Sequence, residues 1–227
     1  MDRRHFSALA MTSLAMAAIA RPAQAAKTPT EWDGLVKVKS KRFDKVYLRP
    51  GADFRAYTKV MLDPTEIAFY KNWQRDYNAD QATSSMEVTD KDMHRWIEEG
   101  RKSADEIVRK AYAKGGYPVV EEAAADVLRV HTAVIDIIVR APDIAGPMMV
   151  RSYSREAGEA TLVVEARDSL TGSLLGRAVD DEDIDDNFWE WRTRASNRVD
   201  FDNQVETWAK NSVKGLDGLK ALSPIKG

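Results

Sequence analysis

Between Thr89 and Gly116 the chain carries the pattern that most restricts how everything else can be arranged. Met93, Trp96, Ile97, Ala104, Ile107, Val108 and Ala111 recur at three- and four-residue intervals, the signature of a helix with one apolar stripe. Thr89, with Asp92 three residues on, supplies the N-cap and an acid for the first turn. Glu98 to Lys102 and Glu106 to Lys110 are favourable i,i+4 pairs on the outer face. Gly115-Gly116 stops the helix. A long stripe of this kind must be laid on another element, and the alternating segments around it supply a sheet.

Those segments fall on both sides of the helix. Phe54, Ala56, Thr58, Val60 and Leu62 alternate with Arg55, Tyr57, Lys59 and Met61, which predicts a strand over 54–62 after the turn at Pro50-Gly51-Ala52-Asp53. Glu66 to Phe69 is a second extended stretch, followed by Trp73 and a polar loop through Ser85. Tyr117 to Val120 gives a short strand signal and Val127 to Val139 a long one. The apolar parity of the long run reverses between Val134 and Asp136, as one extra residue in a bulge would cause; burial on both faces is the other explanation. Ala141 to Glu156 reads as a loop, and Ala160 to Arg167 with Leu174 to Val179 as a hairpin. Its turn is Asp168-Ser169-Leu170-Thr171-Gly172, where the carboxylate accepts backbone amides and Gly172 takes positive φ. A short helical segment is expected around Phe188 to Ala195. A C-terminal helix then carries Phe201, Val205, Trp208, Ala209, Val213 and Leu216 on one face, with Gly215 and Gly218 fraying its end. The expectation is an α+β fold, a mostly antiparallel sheet of about four to five strands packed against two longer helices on one face.

The first 25 residues read differently from the rest. Asp2-Arg3-Arg4-His5 is a basic start, Phe6 to Ala20 an apolar run, and Ala23-Gln24-Ala25 the small-residue site of a signal peptidase. The run has no polar face for a core helix, and at about fifteen residues it is too short to span a bilayer of roughly 30 Å. The chain therefore divides into a cleavable signal peptide, 1–25, and a single domain, 26–227, destined for the periplasm. Arg3-Arg4-His5-Phe6 resembles the twin-arginine consensus, although Ser7 and Ala8 stand where Leu-Lys is common, so the route is twin-arginine or general secretory. No later apolar run approaches eighteen residues, so no transmembrane segment is expected after cleavage.

Composition removes several functional classes. The chain has no cysteine, which excludes disulfides, thiolate catalysis, cysteine-bound zinc and a lipid anchor on cysteine. With 34 Lys and Arg against 36 Asp and Glu, no basic excess points to nucleic acid. Losing the leader's three Arg and one Asp moves the net charge from −2 to −4.

The order of elements, with Trp32-Asp33-Gly34-Leu35, Arg49-Pro50-Gly51-Ala52-Asp53 and Asp168-Ser169-Leu170-Thr171-Gly172 at their spacings, resembles the bacterial family of unknown function numbered 3313. Its members are exported proteins of about this length, many of them lipoproteins; this chain lacks their lipidated cysteine. The resemblance implies no catalytic residues. At fold level the order also looks like the α+β domain of the lipoprotein activators of penicillin-binding proteins and of the curli-secretion channel subunit, an analogy that transfers no activity.

The chemistry-bearing candidates each have a plain structural alternative. Asp181, Asp183, Asp185 and Asn187 match alternate positions of a calcium loop, but Asp186 stands where Gly makes the turn and Arg192 where a bidentate Glu is needed. Acids before a helix and Arg192 and Arg194 toward its end would instead complement a helix dipole. His94 with Glu98 has metal-chelating spacing but only two ligands. His131 is expected at a sheet–helix interface, opposite in parity to Asp136, with no Gly-x-Ser-x-Gly elbow to make a triad. Trp189 and Trp191, near Arg192 and Arg194, could form a binding platform, and Met148-Met149 an exposed apolar contact. No catalytic, cofactor-binding or metal residue is assigned, and no cofactor. The leading expectation is a non-enzymatic periplasmic or cell-envelope module that binds an envelope protein or cell-wall component. The alternative is a periplasmic hydrolase or metal-dependent enzyme using the 180–187 acids or His131.

Overall fold

The structure is a computed structural model; it describes residues 30–83, 86–140, 142, 152–192 and 194–226, with the backbone course alone for 152–157, 183–192 and 194–197. The expected leader 1–25, its expected cleavage site and Met148-Met149 lie outside the described residues. The elements in chain order are β1 (Glu31–Trp32), β2 (Leu35–Val38), β3 (Lys45–Leu48), β4 (Lys59–Leu62), β5 (Glu66–Phe69), α1 (Trp73–Ala79), α2 (Asp90–Lys114), β6 (Val127–Val139), β7 (Ser152–Asp168), β8 (Leu174–Arg192) and α3 (Arg194–Leu222). The strands form one sheet in the order β1-β2-β3-β8-β7-β6-β4, and β5 also pairs with β6. Among the described residues no helix is long and apolar enough to cross a membrane.

The class is α+β, but the expected layout is corrected. In place of four to five mostly antiparallel strands and two helices there are, among the described residues, eight strands in a mixed sheet and three helices. β4 and β5 both run parallel to β6, because the chain crosses over through α1 and α2 between β5 and β6. The expected strand over 54–62 shortens to β4: Tyr57 N donates to Phe54 O at 3.3 Å, a turn that buries both rings and breaks the alternation. The polar segment after Trp73 contains α1, and Tyr117 to Val120 contributes a single bridge, Val119 to Val60.

The larger corrections concern β7 and β8. Part of the expected loop 141–156 is strand, since β7 starts at Ser152. The acidic run and the expected helix near Phe188 to Ala195, as far as Arg192, lie on β8, which pairs with β7 from Leu174↔Arg167 to Arg192↔Ser152, while Arg194 and Ala195 open α3. Local composition disfavours a strand there, but the long hairpin pairs backbone groups that a loop would leave to water. The meander β6-β7-β8 is antiparallel throughout. Its bulge falls between Ile135 and Ile138, with Asp136 at φ 52°, next to where the parity reversal placed it.

The helices match their sequence logic more closely. Thr89 Oγ1 accepts from Asp92 N at 3.2 Å while Asp92 Oδ2 accepts from Thr89 N at 3.1 Å, so the capping box is complete. Glu106 pairs with Lys110 at 3.9 Å, whereas Glu98 takes Arg101 instead of Lys102. α3 does not fray at Gly215 and Gly218 but continues to Leu222. Ala104, Val108 and Tyr112 of α2 share one core with Val205, Trp208, Ala209, Val213 and Leu216 of α3 and with Leu48, Val130, Val134 and Leu162 of the sheet. Residues of opposite strand parity line the other face of the sheet, where Leu35, Tyr47 and Leu174 make a small second cluster.

Candidate functional site

Two regions compete for a functional reading: a charged rung on the sheet face away from the helices, and a cleft on the face toward them. The rung follows the strand register. Tyr47 stands opposite Arg177, Arg177 opposite Glu165, and Glu165 opposite His131. Arg177 gives Nε and Nη2 to Glu165 Oε1 at 2.9 and 2.6 Å, Arg167 gives Nη2 to Oε2 at 2.6 Å, and Trp32 stacks 4.0 Å from the Arg177 guanidinium carbon. Asp33 adds a carboxylate 2.8 Å from Arg177 Nη1. Burial opposes ionisation of Glu165, but the two arginines outweigh it and hold its carboxyl below the usual value. These charges satisfy one another, which makes the rung a structural lock.

His131 is therefore not at a sheet–helix interface. It lies on the outer face, with Nδ1 3.8 Å from Asp63 and Nε2 3.9 Å from Glu66, beyond hydrogen-bond reach of both. Arg129 holds Asp63 at 2.9 Å. His94 is exposed on α2, and Glu98 is engaged by Arg101. Among the described residues no group of three His, Asp or Glu side chains could hold a metal. The calcium-loop reading of Asp181 to Asn187 falls because that backbone is paired strand, with Asp181 opposite Thr161 and Asp183 opposite Glu159. Asp181 instead accepts from Lys45 Nζ at 2.7 Å, and this hydrogen bond lowers its pKa. Trp191 pairs with Tyr153 in the β7–β8 ladder, so the two tryptophans are strand residues and not helical ones.

The cleft arises where α3 passes over β3, β8, β7 and β6. Val46, Leu48, Val130 and Val164 form its floor, Ser212, Gly215, Leu216, Gly218 and Leu219 its roof, and Ile225 one end, around a cavity of about 560 Å³. Small residues line both walls, Gly215 and Gly218 on the helix and Ala166 and Ala178 on the sheet, while Gly176 lets Leu48 pack close, its Cδ2 2.9 Å from where a Cβ would stand. A Cβ on Gly218 would meet nothing within 4 Å, so the helix turns an open side to the cavity there. The rim is the segment joining β2 to β3. Ser40 Oγ accepts from Arg42 N and Phe43 N at 3.1 and 3.2 Å, while Phe43 packs on the core and Lys39, Lys41 and Arg42 remain exposed. Lys226 joins them from the C-terminal side.

One buried carboxylate ties this region together. Asp180, 6% exposed, accepts from Asp44 N at 2.9 Å through Oδ1 and from the Trp208 indole at 3.0 Å through Oδ2. It joins the rim segment, β8 and α3. Burial raises its pKa, and the two donors pull the other way. A smaller cavity of about 140 Å³ lies between α2, the start of α3 and β5, walled by Phe69, Trp96 and Phe201. Composition and motif gave no sign of the cleft. The available signal was the pair of glycines in the last third of an otherwise regular helical pattern, where each costs about 1 kcal/mol relative to Ala.

Fold and cleft define the class: an α+β layer protein whose open site is an apolar cavity between a sheet and one helix, with a cationic mouth. The chain belongs to the family described as protein of unknown function DUF3313, whose model matches residues 24–212. No curated protein matches it in sequence. Among solved structures it is similar to a PelC dodecamer from Paraburkholderia phytofirmans, at 13% identity over 73% of this chain and 94% of that one, with a TM-score of 0.36. A neuraminyllactose-binding hemagglutinin homolog from Helicobacter pylori gives 12% identity over 77% and 95%, TM-score 0.36. A DUF330 protein from Xanthomonas campestris gives 9% over 77% and 91%, TM-score 0.37. Likenesses of this size carry no functional argument.

Proposed function

We propose that this protein is an exported, non-enzymatic binding module of the cell envelope, and that it recognises its partner through the cleft between α3 and the β2–β3 side of the sheet. The observation that carries this reading is the lining of the cleft. It offers concave apolar surface and positive charge, its volume falls within the roughly 300–1,000 Å³ that ligand sites occupy, and no His, Asp or Glu lines it among the described residues. Such a lining suits holding a ligand more than transforming one. The signal sequence at residues 1–25 supports export.

Two measurements test the proposal. N-terminal sequencing of the protein from a periplasmic fraction should begin at Ala26, and recovery of the uncut chain from cytosol would overturn export. Photocrosslinking in cells from Lys41 or Leu222, at the mouth of the cleft, should capture a defined species that the same probe at Lys37 does not. Equal capture from both positions would remove the cleft as the recognition site.

A further inference from the structure

We infer that the cleft takes a single-chain anionic lipid, with its acyl chain between α3 and the sheet and its head group among Lys39, Lys41, Arg42 and Lys226. The inference rests on the cleft being the binding site and names what enters it. Charge is the first argument. Among the described residues, every charged one lining the cavity is basic, in a chain whose net charge is −2. The four rim cations form no ion pair among the described residues, whereas Lys45, Lys59 and Lys210 each have a carboxylate within 3.0 Å. Unpaired cations gathered at one mouth of an otherwise apolar space favour an anion whose remainder is apolar.

The interior decides against a peptide. A peptide brings a backbone N–H and C=O with every residue, each costly to bury without a partner. Arg177 borders the cavity from the floor strand, but its guanidinium is held on the other face of the sheet by Glu165 and Asp33. Beyond the rim, the polar side chains lining the cavity are Tyr112 and Ser212, and Ser212 already donates to the Trp208 carbonyl at 2.9 Å. The floor strands are paired on both sides, β3 with β2 and β8, β7 with β8 and β6, so no open edge is available to a partner strand. An alkyl chain asks for no hydrogen bonds. A bilayer surface is also a poor fit, because the apolar surface here is concave and recessed, and among the described residues Leu222 is the one strongly exposed apolar residue at its mouth.

Titration of the purified protein with monomeric carboxylates of ten to sixteen carbons should give saturable one-to-one binding that tightens up to about fourfold per added methylene. A sixteen-carbon lysophosphatidylglycerol should compete with palmitate, since both share the chain and the negative head. Hexadecylamine should not bind comparably. Reversing the exposed rim charges together (Lys39→Glu, Lys41→Glu, Arg42→Glu) should weaken palmitate by about tenfold or more, with the loss shrinking at high salt. Gly218→Phe should block the cleft; should that variant unfold, the rim variant carries the test alone. Failure of every monomeric lipid to bind, equal binding of the amine, or binding only to phosphatidylglycerol vesicles would overturn the inference. If lipids fail while crosslinking from Lys41 still captures a defined species, the ligand class falls and the cleft reading stands. If both fail, both readings fall.

Discussion

Asp180 faces two donors from distant parts of the chain, and a carboxylate is the side chain that can answer both. An asparagine in its place would present an amide NH2 to either Asp44 N or Trp208 Nε1, leaving that donor against another donor. Asp180→Asn should therefore cost about 1–3 kcal/mol in urea unfolding, with Trp208 the nearest fluorescent reporter. Glu165 poses the opposite electrostatic problem, because its partners outweigh its burial. Arg177→Met would leave the buried carboxylate with Arg167 alone and should destabilise by about 3 kcal/mol. The folded state holds Glu165 below its ordinary value of 4.5, so its contribution is present above that pH and lost as pH falls through the folded value. Melting temperature followed from pH 6 to pH 3 should fall more steeply in the wild type than in Glu165→Gln, even though the variant starts lower. A parallel decline in the two would show that Glu165 is not a source of the acid sensitivity.

At the scale of elements, the hairpin β7–β8 and its neighbour β6 depend on one close approach. A Cβ placed on Gly158 would sit 1.9 Å from the Ile138 carbonyl oxygen, a backbone atom beside the bulge that cannot swing aside. Gly158→Ala should thus destabilise by about 1–3 kcal/mol, and amide exchange should quicken first in β6 around Ile138. If exchange rose equally across α2, the loss would be global and not local to the bulge. That bulge was legible in the sequence because it reverses apolar parity, and the capping box was legible because its two residues lie three apart. The mixed sheet was not: β4 and β5 are four residues long, too short to show whether they run parallel or antiparallel. The clue was α2 itself, since two strands joined through a long helix run parallel more readily than antiparallel. The acidic run hid its strand because charged residues are poor strand formers and its partners, from Leu162 to Glu156, come roughly twenty to thirty residues earlier.

Across the whole molecule, the cleft depends on contacts that no local pattern encodes. Gly215 packs beside Phe43, and the residues after α3 return to the turn before β4. Ile225 N donates to Ala52 O at 2.9 Å, Gly51 N donates to Ile225 O at 2.8 Å, and Phe54 N donates to Ser223 Oγ at 2.9 Å. In the sequence this tail follows two glycines and shows no periodicity, which is why fraying was the natural expectation. In the fold it closes one end of the cavity, and Ile225 is 7% exposed. Ile225→Ala removes a buried side chain from a wall that already borders empty space, so little new cavity is created beyond the lost burial. The expected cost is about 2 kcal/mol, at the low end for such truncations. Lys226→Ala, one residue on and exposed, should stay within about 0.5 kcal/mol of the wild type. Chemical denaturation of the two variants checks the claim. Equal stabilities would mean that the tail rests on the domain without helping to hold α3 over the sheet, and the cleft would then be open at that end.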